Sequence, residues 1–303
     1  LRLDSVTPAV HDFDGDRDLD LYVTVDHRGD RFYEQVMPGQ FADRSAEALV
    51  NHRGNDMGVA AGDATGDGSI QLFVINVFDP QQSFGVSPAG NTFLETEPRD
   101  GGGIRYRDQA DARGVLDVGW GWGTTFTDMD LDGDVDLFAV QGFDEFVGPD
   151  FELHDRSSVL FTNTGAGQFA PHPDDDCAFA GDQRSLIAFD NDRDHDPDYL
   201  ITQVDRSPLL IENQARRHGG TGATIILDSP AALAAGARVE STTSSGSVTQ
   251  LVLAGGSYLA GPPLEAYLGL GDDHAAAVSV TWADGSVTHL GDVAAGTTVL
   301  ARP

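Results

Sequence analysis

The sequence predicts an all-β chain, with a β-propeller-like array of blades over residues 1–215 and a small β-sandwich over residues 216–303. Three observations carry this reading. An aspartate-rich loop of nine residues begins at Asp12, Asp63, Asp128 and Asp190, at offsets of 51, 65 and 62 residues, and each copy runs into an apolar strand. That period suits one four-stranded blade with loops of variable length. Glycine is abundant at 36 residues and proline adds 14, while long helical periodicities are hard to find. Beyond residue 220 the loops stop, and short alternating strands separated by turns take over.

In chain order, Leu1–Val6 is an apolar-alternating strand ahead of the first loop. It is expected to close the ring by joining the last blade, which would remove open sheet edges. The first loop is Asp12-Phe13-Asp14-Gly15-Asp16-Arg17-Asp18-Leu19-Asp20, and Leu21-Tyr22-Val23 leaves it. The second runs from Asp63 to Gln71 before Leu72-Phe73-Val74, and the third from Asp128 to Asp136 before Leu137-Phe138-Ala139-Val140. The fourth runs from Asp190 to Asp198 before Tyr199-Leu200-Ile201. A second strand follows in each repeat, at Arg31–Tyr33, Asn91–Leu94, Val159–Asn163 and Leu209–Asn213. In three repeats a glycine-containing turn then leads to another short strand. Small-residue runs such as Gly58–Gly62 and Gly123–Thr127 enter the loops and fit the crowded centre of a ring. The fourth repeat lacks its final strand, because the sequence changes character at Gln214.

Arg216–Gly220 reads as a linker. After it, strands are expected at 223–227, 237–241, 248–253, 278–282, 287–290 and 297–300, enough for a sandwich of about 80 residues.

The loops carry the chemistry. Their side chains at positions one, three and five face a common centre, position seven offers a carbonyl, and position nine closes the shell. A hard cation taking six to eight oxygens at about 2.3–2.6 Å, calcium above all, suits such a donor set. The predicted ligands are Asp12, Asp14, Asp16, Asp18 and Asp20 in loop one, and Asp128, Asp130, Asp132, Asp134 and Asp136 in loop three. Loop four offers Asp190, Asp192, Asp194, Asp196 and Asp198. Loop two offers Asp63, Thr65, Asp67 and Ser69, with Gln71 in place of the closing carboxylate. With fewer anionic ligands it is expected to hold calcium most weakly. Repetition at blade spacing turns what resembles an acidic active site into a structural clamp, whose metal-binding energy is folding energy.

Charge excludes some partners. The formal net charge is −31, from 49 acidic against 18 basic residues, and every basic side chain counted is arginine. Such a surface repels phosphate backbones, which argues against nucleic acid. The single cysteine excludes an intramolecular disulfide framework and a cysteine-based zinc site. No apolar run approaches the ~20 residues of a membrane span. The chain starts at Leu1 and shows no signal peptide, so a secreted protein with its leader removed is expected, with a cytoplasmic one as the alternative.

The loops and their following strands resemble the FG-GAP/VCBS repeats of integrin-α-like propellers, and Gly121–Asp128 looks like the strand that leads into such loops. Gly236-Ala237-Arg238-Val239, Gly255-Gly256-Ser257-Tyr258-Leu259, Leu268-Gly269-Leu270-Gly271-Asp272 and Val280-Thr281-Trp282 with Asp284-Gly285 resemble the ASPIC/UnbV domain. Together these resemble the cartilage-acidic-protein-like family, which implies calcium and a propeller without implying one activity. Its members are typically secreted, and bacterial relatives occur beside natural-product biosynthesis genes. Pro197 before the closing Asp198, Ala283 after the tryptophan, and four repeats instead of the seven integrin blades depart from the pattern.

Two functional readings follow. One is a calcium-stabilised binding or adhesion module, whose loops on one propeller face hold a protein, glycan or small molecule. The other is an enzyme or accessory protein of natural-product biosynthesis, with a pocket near residues 143–155 and the propeller axis. Glu145, Glu152 and His154 are the acid–base candidates there, among Phe143, Phe146 and Phe151. The same stretch also reads as a solvated acidic loop over packed aromatics. Trp120 and Trp122 point to one side of their strand, placed either to stack on a flat ligand or to pack between blades. No G-x-S-x-G, H-E-x-x-H or P-loop pattern is present.

Overall fold

A computed structural model describes residues 4–51, 54–78, 90–97, 103–142, 157–172, 178–204 and 206–303. Four antiparallel sheets follow one another along the first two-thirds of the chain. Sheet one contains β1 (Asp4–His11), β2 (Asp20–Asp26), β3 (Arg31–Met37) and β4 (Gln40–Asp43). Sheet two contains β5 (Val59–Gly62), β6 (Gln71–Val74), β7 (Thr92–Thr96) and β8 (Tyr106–Asp108). Sheet three contains β9 (Gly121–Thr127), β10 (Asp136–Gln141), β11 (Val159–Asn163) and β12 (Phe169–Pro171). Sheet four has only β13 (Gln183–Phe189), β14 (Asp198–Gln203) and β15 (Leu209–Ile211).

Within each sheet the four repeat strands, or three in sheet four, are ordered as in the sequence, consecutive strands lying next to one another. The aspartate loop always joins the first strand to the second. The first strands lie side by side, β1 against β5, β5 against β9 and β9 against β13. Buried Val59, Leu72 and Leu94 meet Tyr22 and Phe32 between sheets one and two, while Phe73, Phe93, Leu137 and Phe161 fill the space between sheets two and three. Strands buried on both faces explain why β5, β6 and β10 read as continuous apolar runs. No closed ring is detected among the described residues.

The expectation that the N-terminal strand joins the last repeat is corrected. Residues 4–11 form the first strand of sheet one, with His11 opposite Asp20 and Ala9 opposite Tyr22. Alternation buries Thr7, Ala9 and His11, and the run enters loop one directly, as Val59–Gly62 and Gly121–Thr127 enter theirs. A strand so tightly coupled to its own loop is held by the local hairpin and does not travel to a distant sheet.

The C-terminal part forms two packed sheets. Its strands are β16 (Gly222–Leu227), β17 (Ala237–Thr242), β18 (Ser247–Val252), β19 (Ala254–Gly255), β20 (Glu265–Gly269), β21 (Ala275–Thr281), β22 (Val287–Ala294) and β23 (Thr298–Ala301). One sheet runs β20-β16-β23 and the other β18-β17-β21-β22, enclosing Ile225, Val239, Leu268, Val280 and Trp282. Strand β20 carries the Leu268-Gly269 motif and is additional to the strands expected from the sequence.

Strand β19 leaves this sandwich and joins sheet one, where Gly255 pairs with Ala9 and Ala254 with Val10. From there the chain crosses the inner strands. Gly256 N–H donates to Pro8 O at 2.9 Å, and Ser257 Oγ accepts the Leu186 N–H of β13 at 3.3 Å. The Tyr258 ring meets Trp122 of β9 edge-on at 5.0 Å. A Cβ on Gly58, at the entry to β5, would lie 3.1 Å from Tyr258 N. The segment 254–258 therefore touches all four repeats along their inner edges.

Candidate metal centres on the loop face

All four loops have the same backbone. Positions four and six take positive φ in every copy: Gly15 and Arg17 (82° and 78°), Gly66 and Gly68 (71° and 82°), Leu131 and Gly133 (63° and 104°), and Arg193 and His195 (62° and 79°). These turns wrap the amides around the carboxylate at position one. Asp12 accepts from Gly15 and Arg17, Asp63 from Asp67 and Gly68, Asp128 from Gly133, and Asp190 from Asp194 and His195, all at 2.8–3.2 Å.

Position nine does two jobs. One oxygen of Asp20, Asp136 and Asp198 accepts the N–H of position two (Phe13, Met129 and Asn191) at 2.8–3.1 Å. The other accepts from Gln35 and Asn163 in the third strand, or from Asn213 just after it, at 2.9–3.0 Å. This carboxylate thus clasps the sheet as well as closing the loop. Asn163 and Asn213 then bind the preceding repeat: their side-chain amides donate to Ala64 O at 2.9 Å and Met129 O at 2.7 Å. Sequence reasoning missed both asparagines, although Asn163 ends its third strand and Asn213 follows its own by two residues.

Three loops bring carboxylate oxygens within 4.8 Å of one another: Asp12, Asp14 and Asp20; Asp128, Asp130 and Asp136; and Asp190, Asp192 and Asp194. Asp16, Asp132 and Asp194 also accept the N–H of position seven (Asp18, Asp134 and Asp196) at 3.0–3.3 Å. In loop three, burial followed by the charges of Asp136, Asp132 and Asp130 pushes Asp128 well above the carboxylate range. Burial likewise lifts Asp136 to about 8 and Asp134 to about 7. Asp20 and Asp196 rise to about 7 and Asp14 to about 6, burial again being the first cause. Oδ1 of Asp128 and Oδ1 of Asp196 are buried without a hydrogen bond, in residues 2% and 0% exposed. An oxygen-only donor set with orphaned, mutually repelling carboxylate oxygens fits a hard cation.

Loop two differs. Its Gln71 Oε1 accepts the N–H groups of Ala64 and Thr65 at 2.7 and 3.2 Å. Gln71 Nε2 donates to Ser69 Oγ at 2.7 Å, and Ser69 Oγ donates to Asp67 Oδ1 at 2.5 Å. The Ser69 hydroxyl is the first of the bonds holding Asp67 below its usual range, while burial raises Asp63. Asp67, Ser69 and Gln71 thus satisfy one another, Thr65 Oγ1 is buried without a hydrogen bond, and Asp63 and Asp67 alone supply charge.

The C-terminal sandwich sits over this face. Arg238 donates to Gly68 O of loop two at 2.9 Å, and Gly271 N–H to Leu131 O of loop three at 2.9 Å. Arg193 of loop four forks onto Glu265 at 2.9 and 3.3 Å. His195 is half-buried, with Nδ1 3.1 Å from Thr224 Oγ1. Loop one meets the sandwich where Gly236 approaches Leu19 and Gly285 approaches Arg17, beside an open groove of about 540 Å³ lined by Asp18, Leu19, Leu233 and Ala283.

Trp120 and Trp122 lie at the opposite end of the strands. Glu145, Glu152 and His154 fall outside the described residues. Trp120 is buried. Trp122 Nε1 donates to Gly142 O at 2.6 Å, the Arg184 guanidinium stands 4.2 Å over its ring, and Tyr258 meets it edge-on. Trp122 is thus engaged by its own chain. Near the inner strands a cavity of about 90 Å³ is bounded by Ala61, Thr125, Ile187, Leu251 and Ser257.

Repeated strand–loop–strand sheets followed by a β-sandwich define a modular repeat protein with a distinct C-terminal domain. Residues 12–74 match the FG-GAP-like repeat, and residues 228–303 match the ASPIC and UnbV domain, so the chain carries an FG-GAP repeat with a C-terminal ASPIC/UnbV domain. No curated protein matches it.

Proposed function

We propose that this chain is a calcium-stabilised, propeller-type binding module whose ligand surface is the face away from the aspartate loops. The placement of the C-terminal sandwich carries this reading: it covers the loop face, and the longest connections within sheets two and three, residues 75–91 and 142–158, leave from the other end. Loops borne on rigid sheets are where recognition usually resides. Loops one, three and four hold calcium through their clustered carboxylates, and loop two holds it most weakly because its polar groups already pair internally. The ligand is a protein, glycan or small molecule outside the cell, where calcium is plentiful.

Calorimetric titration of calcium into chelator-treated protein tests the metal. The expected result is a tight class of three sites and a weaker fourth; four equal sites, or none, would contradict it. Replacing residues 144–155 by a Gly-Ser linker tests the face, since binding on a glycan and protein array should fall while the melting temperature holds.

A further inference from the structure

We propose that Gly269 and Thr224 of the C-terminal domain are positioning residues for the metal sites of loops three and four, so that metal binding and interdomain docking form one linked equilibrium. The inference rests on the calcium reading above and adds a regulated contact to it.

Loop three and the sandwich meet backbone to carboxylate. A Cβ placed on Gly269 would lie 1.8 Å from Asp128 Oδ2, so only glycine allows this strand to approach a proposed ligand so closely. The Leu131 side chain, buried at 1% exposure, fills the space left at Gly220 and Gly222, where added Cβ atoms would lie 3.1 and 3.2 Å from its methyl groups. Gly271 N–H then holds Leu131 O. The turn that aims the loop-three amides is thus also the knob that docks the domain.

Loop four is engaged by side chains. Thr224 Oγ1, fully buried on β16, lies 3.4 Å from Asp190 Oδ2 and 3.1 Å from His195 Nδ1. Arg216 N–H donates to Asp196 Oδ2 at 3.0 Å, and Glu265 takes the Arg193 fork. Asp190 is thereby steadied from the loop side by two amides and from the domain side by a hydroxyl. Of the buried loop carboxylate oxygens without a hydrogen bond, Asp128 Oδ1, Asp134 Oδ1 and Asp196 Oδ1 lie in these two loops and Asp18 Oδ1 in loop one.

Because both partners read one loop conformation, an ion that fixes the loop favours docking, and docking favours the ion by the same factor. A change in the C-terminal domain that removes no carboxylate should therefore weaken calcium binding. In the full-length chain, Gly269→Ala should lower the affinity of one tight site at least tenfold, and Thr224→Val should lower that of another. Loop one should keep its affinity in both variants, and circular dichroism checks that each is folded. Should Gly269→Ala not fold, Thr224→Val carries the test, together with hydrogen exchange on the wild-type chain. There, chelator should speed exchange at the amides of residues 265–271 as well as in loops three and four. Wild-type affinities in folded Thr224→Val, or interface amides indifferent to chelator while calorimetry shows calcium bound, would overturn the linkage. A wild-type chain that binds no calcium would instead sink the calcium reading beneath it.

Discussion

In loop three, Asp128, Asp130 and Asp136 converge with a buried oxygen that has no hydrogen bond, whereas in loop two Gln71, Ser69 and Asp67 hand their hydrogen bonds to one another. The two loops share positive φ at positions four and six and the same cradle of amides around the first aspartate. One fold of the chain therefore carries two kinds of centre, one of converging carboxylates suited to the proposed ion and one closed by an internal relay of donors and acceptors. An amide at position nine keeps the bond to position two and, unlike a carboxylate, can also donate. That exchange of acceptor for donor lowers the negative charge at the centre and so weakens its proposed hold on a cation.

The largest test of this contrast removes one charge from each loop. In saturating calcium, Asp128→Asn should destabilise the protein by about 3–4 kcal/mol, the linkage energy of a site occupied several hundredfold above its dissociation constant. In chelator the sign should reverse, because the change removes a buried charge from among like charges. Asp63→Asn should cost about 1 kcal/mol in both conditions, as it loses an acceptor where little metal energy is at stake. Calorimetric melting of both variants with and without chelator gives the comparison, and equal responses would erase the proposed difference between the loops.

A smaller effect is expected from converting loop two. The double variant Thr65→Asp with Gln71→Asp breaks the Gln71–Ser69 relay and adds two charges. Without metal it should be about 2 kcal/mol less stable than the parent. Calcium should restore that loss, and titration should count loop two among the tight sites. A variant that stays unstable in calcium would mean the loop-two backbone no longer fits an ion.

The clustered aspartates are legible in the sequence because they recur at alternate positions at blade spacing, a pattern carried by single residues and their neighbours. The backbone that aims them is only half legible. Gly15, Gly66, Gly68 and Gly133 announce their turns, but Arg17, Leu131, Arg193 and His195 adopt the same left-handed conformation without a glycine to mark it. The path of the N-terminal strand is hidden because an alternating strand looks the same whether it serves its own loop or a distant sheet. The cover over the loop face is not legible at all. It depends on meetings such as Gly269 with Asp128, where a glycine looks like any turn residue until its neighbour is known.

The smallest test concerns that shared backbone alone. Gly68 and Arg17 hold the same position in loops two and one, with φ of 82° and 78°. No atom lies within 4 Å of where a Gly68 Cβ would sit, so Gly68→Ala adds conformational strain without crowding. A non-glycine residue in this region costs about 1–2 kcal/mol, offset by the ~0.5–1 kcal/mol of chain entropy that glycine gives up on folding. Gly68→Ala should therefore lower stability by about 0.5–1 kcal/mol, and Arg17→Gly should raise it by a similar amount. Urea midpoints read both. Neither change removes a carboxylate, but the amide at this position donates to the first aspartate of its loop. Equal shifts with calcium and with chelator would isolate the cost of the common turn, and a larger shift in calcium would show that the turn also aims the carboxylate.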